Sequence, residues 1–206
     1  MVSMALLLTI LSGASGDAES AGWQTHQSGR ITIASRPRAG AEGRAYRVVA
    51  VLDAPAKALE AVLMDAASFK NFMPHVVESR ILERKDDGGF FSYSRMEFPL
   101  FVTSRDMAVE VFVDSRVDDA GTFVQRWVAT PEKVPERSHV VRIRHNEGSW
   151  RIRPEGEDRS RIEYEFSVDP AGSLPSFAVR FANKGGITGT LEALEKEARR
   201  RAGIAR

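Results

Sequence analysis

The chain has 206 residues, 43% of them hydrophobic and 28% charged, with a net charge of +1 and no cysteine. That composition suits a single packed domain; it is neither the apolar-poor signature of a disordered chain nor the strongly basic balance that attracts nucleic acid. The lack of cysteine excludes disulfides, a thiol nucleophile, thiolate metal sites and a lipid anchor on cysteine.

The first segment, Met4 to Leu11, is a short apolar run followed by the small residues Ser12 to Gly16. This is the pattern of a signal-peptide h-region with a cleavage site, after Gly16 or Ala18. The run is too short to span a bilayer, which needs roughly 20 apolar residues. No Lys or Arg precedes it, so either translation starts upstream or the run is simply an apolar N-terminus. The expectation is a signal peptide over residues 1–18 and one domain over 19–206, located in the periplasm or secreted.

A polar stretch to Gly43 follows, holding Trp23 and the apolar pair Ile31 and Ile33. Arg44 to Leu52 reads as a strand. Asp53 is the expected N-cap, with Pro55 in the first turn, of a helix from Pro55 to Asp65 whose Leu59, Val62 and Leu63 fall at helical spacing. Ser68 to His75 reads as a second short helical or loop segment. From Val76 to Asp169 the period is two. Phe90, Ser92, Ser94, Met96 and Phe98 share one face. Met107, Val109, Val111 and Val113 share another, as do Val141 and Ile143, Trp150 and Ile152, and Ile162, Tyr164, Phe166 and Val168. Turn signals at Asp86–Gly89, Asp118–Gly121, Asn146–Gly148 and Pro154–Gly156 divide the run into antiparallel strands with one apolar face each. A long amphipathic helix from Pro175 to Arg201 completes the pattern, with Leu174, Phe177, Phe181, Ile187 or Thr188, Leu191, Leu194 and Ala198 as its apolar stripe.

A sheet with one apolar face must bury it. With one long helix available, the predicted fold is α+β, a curved antiparallel sheet wrapped around the C-terminal helix, and a hydrophobic cavity between them is the expected consequence.

Several segments in order resemble the START family, the steroidogenic-acute-regulatory-related lipid-transfer domains of helix-grip fold. They are Trp23 with Gly29 to Ile31 and Arg36, Phe69 to Phe72 with Pro74 and Val77 to Leu82, and Pro99 with Arg105-Asp106. Val141-Arg142 with Gly148 to Trp150, Ile152 and Pro154, then Asp169 to Pro175, complete the series. Phe72 stands where many relatives carry Trp, and Gly185-Gly186 where the family's helix often carries Pro. The resemblance implies binding and carriage of a hydrophobic lipid (sterol, hopanoid, phospholipid or fatty acid) without catalysis or cofactor, with release by motion of the C-terminal helix. It also implies a monomer with transient membrane-surface contact and no nucleic-acid partner. Two other readings stay open: a polyketide aromatase/cyclase-like enzyme on the same scaffold, and a lipid-sensing module that signals through a partner.

Given that fold, the candidate cavity-lining residues are Met96, Phe98, Met107, Val109, Val111, Val124, Val141, Ile143, Tyr164 and Phe166 from the strands, and Phe177 and Phe181 from the helix. Each could equally be ordinary core. Arg105 and Asp106, on opposite faces of one strand, are read as structural rather than catalytic. Arg142 and Arg144 are read as a solvated outer face. His26, His75, His139 and His145 lack metal-ligand spacing, so no metal is expected. The basic residues Lys196, Arg199, Arg200, Arg201 and Arg206 suit a helix C-terminus, with docking on anionic lipid as the alternative.

Overall fold

The period-two alternation builds one sheet in the computed structural model, which describes residues 22–38, 43–98, 102–172 and 185–204. Its strands are β1 (Gln24–Gln27), β2 (Ile31–Pro37), β3 (Arg44–Leu52), β4 (Val76–Arg84), β5 (Phe90–Met96), β6 (Ser104–Ser115), β7 (Phe123–Ala129), β8 (Val140–Arg142), β9 (His145–Pro154) and β10 (Ser160–Asp169). The path runs β1-β2-β3-β10-β9-β7-β6-β5-β4, antiparallel throughout. β7 stops pairing with β6 at Val109, and β8 takes the edge left free beyond it, pairing parallel with Ser104 to Asp106. The described helices are α1 (Ala56–Met64), α2 (Val117–Ala120) and α3 (Ile187–Arg201), and a 3-10 turn at Ala66–Asn71 follows α1.

Three local expectations change. The stretch before Gly43 is not merely polar: Ile31, Ile33 and Ser35 alternate inward and make β2 a full member of the sheet. Pro55, not Asp53, caps α1; its extended backbone (φ −60°, ψ 139°) places its carbonyl to accept from the Ala58 and Leu59 amides. Asn146–Gly148 is not a turn but lies inside the continuous strand β9. The other three turn signals hold. Asp87 accepts from the Gly89 amide at 2.9 Å, Gly121 closes α2 in the left-handed region (φ 65°), and the Glu155 amide closes on the Arg159 carbonyl.

The inner face divides in two. Over β2, β3, β10 and β9 it packs densely against α1 and α3: Ile33, Val48, Leu52, Ile152 and Ile162 meet Leu59, Val62, Leu191 and Leu194, all fully buried. This confirms a large antiparallel sheet packed on the C-terminal helix, whose apolar stripe Ile187, Leu191, Leu194 and Ala198 is the one the spacing predicts. Leu174, Phe177, Phe181 and the leader segment lie outside the described residues. Over β5, β6 and most of β7 the same face meets, among the described residues, mainly the 3-10 turn, the Met73-Pro74 segment after it and the ends of α1 and α3, and a cavity remains there.

The outer face of β5 and β6 carries a second, smaller core that reverses the expectation for Arg142. The segment from Thr130 to Arg142 folds back over the sheet and buries Tyr93, Ala108 and Val134. Beneath it Arg142 grips Asp106 through two bonds, Nε to Oδ1 at 2.6 Å and Nη2 to Oδ2 at 3.1 Å, while the Tyr93 hydroxyl donates to Oδ2 at 3.1 Å. The remaining Arg142 donors reach the carbonyls of Pro131, Val134 and Pro135. Arg142 is thus buried where parity suggested water, because a loop invisible to strand periodicity covers that face. Arg144, two residues on, is exposed and pairs with Glu132 and Glu136.

Candidate functional site

Where β5, β6 and β7 curve away from α3, a cavity of about 280 Å³ remains. Its floor is the inner face of the sheet, from Phe90, Ser92, Ser94 and Met96 on β5 and Met107, Val109 and Val111 on β6 to Gln125 and Trp127 on β7. Asn146, Trp150 and Tyr164 close it from β9 and β10. Its roof is Leu63 of α1, Ala66 and Phe69 of the 3-10 turn, Met73, Pro74 and, from α3, Thr190. The volume lies just below the ~300–1,000 Å³ typical of ligand pockets.

One glycine shapes its wall. Gly148 pairs with Trp127 on one side and Phe166 on the other. A Cβ at Gly148 would lie 2.5 Å and 2.6 Å from Cζ2 and Cη2 of Trp127, so the indole lies flat across the bare backbone there. Asn146 locks that ring by accepting from the indole Nε1 at 3.0 Å, and its own amide reaches the Met107 sulfur. Beyond Trp127 an aromatic ladder runs across three strands. Trp150 stacks on Tyr164 at 3.7 Å, Tyr164 on Phe166 at 4.6 Å, and Phe166 on Tyr46 at 4.7 Å between centroids. Tyr164 borders the cavity, and burial pushes the pKa of its hydroxyl well up.

Of the residues expected to line a cavity, Met96, Met107, Val109, Val111 and Tyr164 do so. Phe166 has the right parity but is sandwiched in the ladder between Tyr46 and Tyr164 and is not part of the lining. Val124 faces outward, because Phe123, Gln125 and Trp127 hold the inner positions of β7. Val141 lies on β8 beside Arg105, and Ile143 is buried next to it, its amide donating to the Asp106 carbonyl. Phe98 has left β5 and stacks on His75 at 5.4 Å. Phe177 and Phe181 fall outside the described residues. Ser92 and Ser94 were legible from their parity with Met96; Gln125 and Trp127 needed the parity of β7, which the sequence leaves ambiguous. Phe69 belonged to a segment of the family resemblance, but nothing marked it or Met73 as cavity-lining.

The adjacent pair Arg105-Asp106 splits between faces, as strand geometry requires. Arg105 is buried and donates to the carbonyls of Thr103, Pro170 and Ala171 at 2.5, 3.2 and 3.4 Å; its desolvation lowers its pKa. Three of its five N–H groups are therefore held by backbone. A wider groove of about 1680 Å³ runs between α3 and the 3-10 turn. It is open and charged, and much of its charge is paired: Arg30 with Glu195, Arg201 with Asp65 and Glu197, Arg200 with Glu197. Such a surface suits water, so the smaller apolar cavity is the candidate site.

Comparison with known proteins agrees with that geometry. Residues 52–195 match the family described as polyketide cyclase/dehydrase and lipid transport. An uncharacterised protein of Pseudomonas aeruginosa is 24% identical over 98% of both chains. The phosphatidylcholine transfer protein of Bos taurus is 28% identical over 74% of this chain and 72% of its own. Among solved structures, a STAR-related lipid transfer protein fragment from Xanthomonas axonopodis is 28% identical, covers 86% of this chain and 99% of its own, and superposes with a TM-score of 0.75. A Streptomyces aromatase/cyclase, 17% identical with a TM-score of 0.56 over 79% of this chain and 99% of its own, shares the fold alone. The chain belongs to the START/polyketide cyclase and lipid transport family, with the helix-grip fold that its alternating strands and C-terminal helix foretold.

Proposed function

We propose that the protein is a non-catalytic carrier that takes one hydrophobic lipid into the cavity between β5, β6, β7 and the 3-10 turn and moves it between membranes. The observation that carries this reading is the lining: an apolar and aromatic wall in which, among the described residues, no carboxylate, imidazole or amine stands. Acid–base chemistry on a polyketide needs a group whose pKa lies near the working pH, and burial pushes the hydroxyl of Tyr164, the titratable side chain on the described lining, well above it. A carrier needs only apolar surface and a way in. The relatives named as lipid-transfer proteins support the same reading. In this reading residues 1–18 direct export, the mature domain works as a monomer in the periplasm or outside the cell, and the C-terminal helix gates the cavity.

The energetics suit a carrier. An empty 280 Å³ void, at ~24 cal/mol per Å³, would cost up to ~7 kcal/mol. That is a large share of the 5–15 kcal/mol typical of a whole domain. An occupant offsets that cost, while its alternative home is a bilayer, so the exchange is close to neutral.

The test is native mass spectrometry of the purified protein, with chemical identification of any extracted lipid. One lipid per chain, recovered unchanged and exchanged into acceptor vesicles, supports the carrier. A protein that stays empty across membrane extracts yet turns over a poly-β-keto substrate overturns it. N-terminal sequencing of the protein recovered from the periplasm or medium tests the export step: an intact leader refutes it.

A further inference from the structure

The polar atoms inside the cavity identify the kind of lipid end it can hold. Ser92 and Ser94 sit two residues apart on the inner face of β5, so both hydroxyls face the cavity beside Met107 and Val109 of β6. Tyr164 borders the same space from β10. Among the described residues, none of these three hydroxyls has a hydrogen-bond partner in the protein. Gln125 spends its amide nitrogen only on the Met64 thioether at 3.6 Å. Among the described residues Thr130 Oγ1 is the one fully buried side-chain polar atom without a partner, so these hydroxyls keep accessible surface and, set around an apolar void with the amide, are partners for something that enters it. Each of them is neutral, and each hydroxyl can both donate and accept.

We infer that this cavity selects lipids whose buried polar end is uncharged, a hydroxyl or an ester carbonyl, over lipids with an ionised carboxylate, a phosphate or a zwitterionic head. The inference rests on the lipid-carrier reading above and goes on to set its ligand class. An anionic or zwitterionic end would have to shed its water against a wall that offers no opposite charge among the described residues, a cost that neutral hydrogen bonds do not repay. A buried cation close by, Arg105, lies just past Met107 on β6, opposite Met96, but it is not part of the lining, and three of its five N–H groups are held by backbone carbonyls. A hydroxyl or ester loses little, because Ser92, Ser94, Tyr164 and Gln125 replace the water it leaves. This sets the chain apart from its phosphatidylcholine-transferring relative despite 28% identity.

The test holds the apolar tail constant and changes only its end. Dodecanol, methyl dodecanoate, dodecane, dodecanoate at pH 8 and dodecylphosphocholine, each below its micelle threshold, are titrated into the delipidated full-length protein. Binding is read by the emission of Trp127 and Trp150, which line the cavity. Dodecanol and the methyl ester should bind at least tenfold more tightly than dodecanoate or dodecylphosphocholine. The triple variant Ser92→Ala/Ser94→Ala/Tyr164→Phe should weaken dodecanol about tenfold or more, at about fivefold for each bond lost. Dodecane should bind the variant within twofold of wild type, a control that a misfolded protein fails. Equal or tighter binding of dodecylphosphocholine, or a triple variant that binds dodecanol normally, overturns the neutral-end inference and leaves the carrier reading standing. If no probe binds and membrane extract leaves nothing in the protein, both fall.

Discussion

Replacing Arg142 with alanine should be one of the most damaging single changes in this protein, although it lies on the face of the sheet away from the cavity. The Arg142 and Asp106 side chains are only 4% and 1% exposed. The substitution removes two bonds to the carboxylate and orphans the carbonyls of Pro131, Val134 and Pro135, leaving Asp106 buried with the Tyr93 hydroxyl alone. Breaking one side of a buried pair typically costs 3–5 kcal/mol, whereas an exposed pair is worth ~0–1 kcal/mol. At about 4 kcal/mol, and roughly 2–4 °C per kcal/mol for a chain of this size, the melting temperature should drop by roughly 8–16 °C. Urea unfolding followed by far-UV circular dichroism measures it, with the slope m unchanged if only stability has moved. Asp106→Leu combined with Arg142→Met removes both charges and keeps apolar bulk, so it should cost less than the two single changes added together, with a coupling of at least ~2 kcal/mol. A loss below ~1 kcal/mol for Arg142→Ala, or strict additivity in the double variant, would refute the claim that this pair is buried and tied to the covering segment. Folded Arg142→Ala should still take up lipid, because nothing at the cavity has changed.

Gly148→Ala should destabilise by about 1–3 kcal/mol through overpacking, since its Cβ would strike the Trp127 ring and the Glu165 carbonyl. The near-UV dichroism of Trp127 should change with it, and Trp127→Phe should relieve only part of the loss. Glu197 gives a pH signature. It accepts from Arg200 at 2.7 Å and Arg201 at 2.8 Å, and Arg200 above all holds its carboxyl down to about 2. A folded value below the unfolded one, ~4.3, means that the stabilisation is complete above that pH and is lost as pH falls toward 2. The stability gap between wild type and Glu197→Gln should therefore be widest near neutral pH and close between about pH 4.5 and pH 2; a gap that stays constant over that range argues against the ion pairs. Val109→Phe projects a ring into the cavity. It should lower the amount of co-purified lipid at little cost in stability, and full lipid occupancy in that variant would place the ligand elsewhere.

Most of the architecture follows from local chemistry. Alternation marks a strand wherever one face is wet, so β3, β5, β6, β9 and β10 were legible, as was the stripe Ile187, Leu191, Leu194 and Ala198 of α3. β2 was not, because two isoleucines among polar residues make too short a pattern to stand out. Parity says which residues share a face, and by itself it placed Met96, Met107, Val109, Val111 and Tyr164 together. It cannot say what covers that face. The Thr130 to Arg142 segment buried Arg142, stacking between Tyr46 and Tyr164 kept Phe166 out of the lining, and the inner parity of β7 went to Gln125 rather than Val124. Each outcome depends on contacts between residues distant in the chain, where volume and hydrogen-bond satisfaction decide which side chain occupies a shared space. The sheet wrapped on its helix is thus a property of periodicity, and the neutral apolar cavity a property of packing.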